Sequence, residues 1–306
     1  MRKLDSIAAL EAPSRELSIQ RELRAYFDLT KPRIMLLLLY TGLGGMIVAD
    51  HGWPSLSVTI LTLFGLALST GGSAAFNMWY DRDIDQLMKR TQNRPIPAGI
   101  VSPERALAFA VLLMVASVVL FATLVNPLSA VLSGVGAFYY AVVYTMWLKR
   151  RTPQNIVIGG GAGAFPPLIG AAAVTGHIGL PAIFLFLIIF FWTPPHFWSL
   201  ALYKNEEYRR ANIPMMPVVR GPMTTKVQSL VYGVVLTVSS LAMPWLTPLA
   251  WFYLPVTVAL NSVFLYTLWE TLREPHDSFT FARRSFFVSI LYLFVLFLVL
   301  ALASLV

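Results

Sequence analysis

The segment Asn77-Met78-Trp79-Tyr80-Asp81-Arg82-Asp83-Ile84-Asp85 places three oxygen-bearing side chains four residues apart. Four residues advance a helix by about 400°. Asn77, Asp81 and Asp85 are therefore expected on one helix face over two turns. Like charges at that spacing repel, so a positive partner is required. Asp83 falls on another face, with Arg82 as its expected neighbour. Two carboxylates and an amide oxygen suit a hard cation. Mg2+ takes one or two carboxylates and leaves its other positions to water and substrate phosphates. Zn2+ calls for His or Cys, which this segment lacks. Lys89, Arg90 and Arg94 follow in Lys-Arg-Thr-Gln-Asn-Arg-Pro-Ile-Pro. Arg holds phosphate oxygens through paired hydrogen bonds, so carboxylates for Mg2+ beside this basic run read as a diphosphate clamp.

The elements that carry these residues follow from composition. The 306 residues are 57% hydrophobic and 12% charged, against about 45–50% and about 25% in soluble domains. A soluble enzyme, a disordered chain, a collagen and a nucleic-acid-binding tail do not fit. Apolar spans run over 33–49, 56–78, 104–124, 128–147, 155–174, 180–202, 225–243, 249–270 and 285–305. Each is near the roughly 20 residues a membrane helix needs. The expected fold is an all-α polytopic membrane protein of nine transmembrane helices. Residues 1–28 form an N-terminal tail and 29–306 a single transmembrane domain.

Charge sets the orientation. With the N-terminus inside, the outer connections 50–55, 125–127, 175–179 and 244–248 contain no Lys or Arg. All 23 Lys and Arg lie in the tail, the inner connections or the adjacent helix ends. This positive-inside pattern puts the N-terminus inside and the C-terminus outside. Of 15 carboxylates only Asp50 is outside. The groups Asp81, Asp83, Asp85 and Glu206, Glu207 stand at inner helix ends, where acids mark sites. The tail carries Asp5, Glu11, Glu16, Glu22 and Asp28 among its basic residues. It fits neither a mitochondrial presequence nor a signal peptide, and is read as an intact cytoplasmic tail ending in an amphipathic segment. A prokaryotic plasma membrane is the expected location. No cysteine is present, which excludes disulfides, thiolate metal sites and thiol nucleophiles.

Asn-x3-Asp-x3-Asp followed by Arg-Thr-x2-Arg-Pro-Ile-Pro resembles the UbiA superfamily of intramembrane prenyltransferases. The resemblance covers about residues 25–300. It implies nine helices around a central cavity, Mg2+ held by Asn77, Asp81 and Asp85, and a prenyl diphosphate at two acidic motifs. The usual second Asp-x3-Asp motif is missing. The chain instead reads Pro194-Pro195-His196-Phe197-Trp198, then Ile213-Pro214-Met215-Met216-Pro217-Val218-Val219. With Leu29-Thr30-Lys31-Pro32-Arg33, these segments look like the heme-farnesylating branch of that superfamily, the protoheme IX farnesyltransferases.

That resemblance implies farnesyl diphosphate and heme B as substrates and heme O as product. It assigns Asn77, Asp81, Asp85, Arg90, Arg94 and His196 to catalysis. Lys89, Arg90, Arg94, Lys149 and Lys204 would meet the diphosphate. His196, Tyr144 and Asn155 would line the heme side, and Glu206 or Glu207 would stand in for the missing acidic pair. Neutral imidazole is a common axial ligand of heme iron; His196 would serve so, or as a base towards water. His196, Leu200 and Lys204 share a helix face. His51, His177 and His276 fall in connections. Besides the lipid bilayer, a downstream heme A synthase is the partner this reading would supply. Two other readings stay open. One is a UbiA-type enzyme acting on an aromatic acid or quinone precursor. The other is a secondary transporter, whose charges are more often at the midplane.

Overall fold

The computed structural model describes residues 15–275 and 278–306. The first 14 residues of the tail, with Asp5 and Glu11, and His276 lie outside the described residues. Among the described residues all regular structure is helical. Helix α1 (Arg15–Leu29) lies ahead of the apolar spans. Then come α2 (Pro32–Asp50), α3 (Leu56–Tyr80), the short α4 (Arg82–Asp85) and α5 (Pro103–Leu124). Helix α6 (Pro127–Leu148) and α7 (Asn155–Thr175) are followed by α8 (Leu180–Tyr203). The order ends with α9 (Asn205–Arg210), α10 (Met216–Val219), α11 (Gly221–Leu241), α12 (Tyr253–Arg273) and α13 (Thr280–Ser304).

Eight of these helices are long and apolar enough to cross a membrane: α2, α3, α5, α6, α7, α8, α11 with its continuation to Trp245, and α13. The span expected at 249–270 instead forms α12, which is long enough but more polar. Its Asn261 explains that composition. The Asn261 amide accepts from the Tyr292 hydroxyl at 2.9 Å and from Thr237 at 3.2 Å, and donates to Ser240 Oγ at 2.9 Å. The helix thus spends polar residues on its neighbours α11 and α13, where buried polar groups must be paired. The helix starts at 253 rather than 249, and ahead of it the Ala250 N–H bonds to Ala303 O of α13 at 2.9 Å instead of to its own helix.

The long helices form a closed ring in chain order. Helices α2, α3, α5, α6, α7, α8, α11, α12 and α13 each pack on the next, and α13 packs back on α2. The largest buried cluster lies between α8, α11, α12 and α13, around Leu185, Ile188, Trp192, Phe264, Tyr292 and Leu296. Helices α2 and α7 approach more closely still. A Cβ at Gly170 would overlap the Gly42 carbonyl, and one at Gly45 would overlap the Pro167 backbone. Small residues permit this approach, and packing rather than hydrophobicity holds helices together in lipid.

The connections at one end of the ring carry the chemistry. These are residues 81–102, 149–154 and 204–220, which carry 16 of the chain's 38 charged side chains; we call this the basic end. A small core of Ile84, Met88, Ile156, Ala201, Tyr208, Ile213 and Met215 ties them together. On the other side of this end, Ala25 and Leu29 of α1 pack with Ala75, Met78, Ala106 and Ala110.

Candidate active site

The Asn77–Asp85 face survives a break in its helix. Helix α3 stops at Tyr80, and Asp81 sits at the junction with φ −85° and ψ 5°. The ladder continues regardless. Asp81 N–H bonds to Asn77 O at 2.9 Å and Asp85 N–H to Asp81 O at 2.9 Å. Asn77, Asp81 and Asp85 are all buried, Asp81 completely. Buried charges persist only when paired, and each of these groups has a cation. Lys149 forms an ion pair with Asp81 Oδ2, and Arg150 stands 3.6 Å from Asp81 Oδ1. Arg94 Nη1 contacts both oxygens of Asp85, at 2.8 and 2.7 Å. Lys31 Nζ donates to Asn77 Oδ1 at 2.7 Å. Asn77 Nδ2 donates to Asp81 Oδ2 at 2.7 Å and to Thr145 Oγ1 at 3.2 Å. The positive partner demanded by the carboxylate spacing is thus a ring of four side chains.

Asp83 corrects one expectation. Its partner is Arg150, whose Nη atoms reach both carboxylate oxygens at 2.7 Å. Arg82 instead lies over the Trp79 ring and donates to Trp79 O at 2.8 Å. Neighbouring residues in a helix diverge by 100° and do not face each other. Arg150 arrives from the connection between α6 and α7 with the matching fork. Its hydrogen bonds hold the Asp83 carboxyl below the usual carboxylate range.

Residue spacing does not mark Lys31, Thr145 or Arg150 as contacts of the acidic face. Lys31 lies inside the Leu29–Arg33 segment that carried the resemblance. Its backbone is left-handed, φ 52° and ψ 59°, directly before Pro32, a combination disfavoured for an ordinary residue. Burial, then the charges of Arg94 and Lys149, pull its ammonium well below the usual lysine range. Thr145 and Lys149 are aimed by a change of helix type. Residues Tyr139–Leu148 of α6 form a π-helix, and Lys149 N–H bonds back to Tyr144 O at 2.9 Å. Such widened turns recur at functional sites, and nothing in residue spacing announces this one. Asn155 supports the same corner, donating to Lys149 O at 3.2 Å, while its Oδ1 is buried without a partner. Tyr144 packs its ring against Gly159, where a Cβ would overlap it.

The second stretch is built separately. Arg90 reaches the Tyr208 hydroxyl at 3.4 Å and its guanidinium lies over that ring. Lys89 is exposed. Lys204 pairs with Glu207 Oε1 at 2.8 Å, and Glu206 with Arg209 at 2.8 Å. Glu206 is open to solvent, whereas Glu207 Oε2 and Asn205 Oδ1 are buried without partners. These groups pair among themselves and not with Asp81 or Asp85.

His196 forms a third group. Pro194 and Pro195 lie inside α8, where each removes a backbone donor. At the next residue, the His196 ring is buried between Trp192, centroids 4.2 Å apart, and Phe286, 4.8 Å apart, with Phe197 edge-on. Its Nδ1 is 2.7 Å from Ser289 Oγ. These contacts come from α8 and α13, and none comes from α3 or α4.

Among the described residues no three His, Asp or Glu side chains converge on a point that could hold a metal ion. The donor set at the acidic face is Asp81, Asp85 and the Asn77 amide. Asp81 Oδ1 is buried without a hydrogen bond, so one carboxylate oxygen stands ready. Such a set suits a hard cation that completes its shell with water and substrate oxygens. The other donor atoms are held by Lys149, Arg94 and Lys31. A metal could take them only if those side chains found another anion.

A ring of apolar helices with buried carboxylates paired to cations at one end defines a membrane-embedded site for anionic substrates. The chain belongs to the UbiA prenyltransferase family, whose pattern matches residues 38–291. It is 50% identical over 275 residues to the protoheme IX farnesyltransferase of Symbiobacterium thermophilum, covering 90% of this chain and 92% of that one. It is 46% identical over 306 residues to the enzyme of the same name from Brucella anthropi, covering 99% and 94%. In fold it is similar to a digeranylgeranylglyceryl phosphate synthase, with a TM-score of 0.77, 18% identity and coverage of 92% and 98%. It is also similar to a UbiA homolog from Archaeoglobus fulgidus bound to GPP and Mg2+, with a TM-score of 0.68, 18% identity and coverage of 90% and 99%.

Proposed function

We propose that this protein transfers the farnesyl group of farnesyl diphosphate to a vinyl group of heme B, giving heme O and diphosphate. The observation that carries this reading is the pairing of buried Asp81 and Asp85 with Lys149, Arg94 and, through Asn77, Lys31. The names of the relatives supply the acceptor.

When bound, Mg2+ would supply charge neutralisation of the diphosphate from Asn77, Asp81 and Asp85. The chain's own groups do the rest. Arg94, Lys149 and Lys31 exchange their carboxylate partners for diphosphate oxygens, and Arg90, Lys89 and Lys204 extend the cationic lining. Charges fixed before the reaction favour breakage of the bond between the farnesyl C1 and its diphosphate oxygen. The farnesyl cation takes the vinyl π electrons to form a carbon–carbon bond. Water then adds to the cation left beside the porphyrin and loses one proton. No protein nucleophile is needed. His196 stands in the third group, where its imidazole would orient heme through the iron or accept that proton. Tyr144 of α6 and Asn155 of α7 would contribute to the heme side. Glu207, with its buried free oxygen, is a better stand-in for the missing second acidic motif than Glu206.

The reading carries a topology. Helix α12 crosses as a ninth span, the N-terminus is inside and the C-terminus outside. The basic end opens to the cytoplasm of a prokaryotic plasma membrane, and residues 29–306 act as one domain. The heme product would pass to a downstream heme A synthase.

Diphosphate release by purified protein tests the acceptor. Farnesyl diphosphate and Mg2+ should release diphosphate with heme B present and not with an aromatic acid in its place. The opposite preference would replace heme by an aromatic acceptor. No release with any acceptor would overturn the enzyme reading.

A further inference from the structure

We propose that Ser289 is a positioning residue that fixes the tautomer and the tilt of His196, so that Nε2 presents a lone pair to the substrate. This rests on the reading of His196 as a heme-site residue.

Proton availability fixes the direction of the bonds at Ser289. Ser289 sits on α13 with its side chain fully buried. A serine hydroxyl has one proton to give. Ser289 Oγ donates it to the Phe286 carbonyl at 2.6 Å. Towards His196 Nδ1, at 2.7 Å, the same oxygen can then only accept. The proton of the neutral imidazole is therefore on Nδ1. Nε2 is left as the acceptor; among the described residues it has no hydrogen-bond partner, and it is not fully enclosed.

The same residue also sets the ring plane. Its backbone carbonyl accepts the Trp192 indole N–H at 2.8 Å. The Trp192 ring lies on one face of His196 with an interplanar angle of 17°. Phe286, whose carbonyl takes the Ser289 proton, covers the other face at 25°. One turn of α13 thus holds the edge and both faces of the imidazole. A buried serine in a helix can satisfy its hydroxyl on its own backbone alone, as Ser304 does on Leu300 O. The bond to His196 is additional and joins two helices. A lone pair on Nε2 is what iron ligation needs, and equally what a base needs. The partner of the other ring nitrogen decides which nitrogen is available.

The test reads binding and tautomer as well as turnover. Ser289→Ala, Ser289→Thr and His196→Ala are purified in detergent and titrated with ferric heme B, following the Soret band. Ser289→Ala should weaken heme binding or lower kcat about 10–100-fold, the usual effect of losing such a supporting bond. Its KM for farnesyl diphosphate should not change. Ser289→Thr, which keeps the hydroxyl, should recover most of the loss. Independently of any variant that misfolds, the 15N shifts of His196 in the wild-type protein should show protonated Nδ1 and bare Nε2. Heme affinity and kcat unchanged in Ser289→Ala, while His196→Ala loses the heme signature, would overturn the Ser289 role alone. A protonated Nε2 would do the same. An unchanged heme spectrum and unchanged turnover in His196→Ala would remove the reading of His196 and the proposal with it.

Discussion

Arg94→Gln separates what an ion pair does for the fold from what it does for the reaction. Arg94 Nη1 touches both oxygens of Asp85, whose side chain is 3% exposed while Arg94 is 21% exposed. With charge centres about 4 Å apart and an effective dielectric of about 20, the attraction is about 4 kcal/mol. Removing one member of a buried pair costs about 3–5 kcal/mol, because the other charge is left unpaired. Partial exposure of Arg94 points to the lower end of that range, about 3 kcal/mol. Asp85→Asn combined with Arg94→Gln removes both charges and should regain most of that loss. Activity should not follow. If Asp85 binds the metal and Arg94 the diphosphate, each single variant and the double variant turn over poorly. The assay is thermal unfolding in detergent without ligands, paired with diphosphate release. Equal stability of Arg94→Gln and wild type would refute the ion pair. Recovery of turnover in the double variant would refute the division of labour.

Asp81→Asn should lower kcat by about 10²–10³-fold, the scale for losing one preorganised electrostatic group, with heme binding retained in a spectral titration; near-normal turnover would refute the metal assignment. Mg2+ alone should raise the melting temperature little, whereas Mg2+ with inorganic diphosphate should raise it clearly, because the donor atoms are held by Lys149, Arg94 and Lys31 until an anion draws them away. An equal rise with Mg2+ alone would contradict that exchange. Gly170→Ala forces a methyl against the Gly42 carbonyl and should cost about 1–3 kcal/mol, seen as a lower melting temperature. Gly163→Ala, with nothing within 4 Å of the new methyl, should be neutral.

What the sequence made legible was periodic or local. The register of Asn77, Asp81 and Asp85 is a four-residue spacing, and it holds even where α3 gives way to α4. The spans also read well because lipid demands long apolar helices. Helix α12 is the exception: its Asn261 and other polar residues serve neighbours that only the folded ring supplies. The partners of the acidic face were not legible for the same reason. Lys31, Thr145 and Arg150 come from the residue before α2, from α6 and from the connection after it, and reach the face through a left-handed residue and a π-helical turn. Neither feature leaves a pattern along the chain. Arg82 was the natural neighbour for Asp83 by proximity in sequence, yet helix geometry turns it away. His196 was visible as a residue type in an unusual setting, but Ser289, which holds it, is one of several serines in an apolar helix with nothing local to mark it.

The central claim is that this site joins a farnesyl group to heme. Purified protein in detergent would be incubated with heme B, farnesyl diphosphate and Mg2+, and the extracted heme read by mass spectrometry with and without a chelator. A heme that has gained one farnesyl and one hydroxyl group, and fails to do so with chelator, is the predicted result. Unmodified heme from protein that releases diphosphate on another acceptor would contradict it.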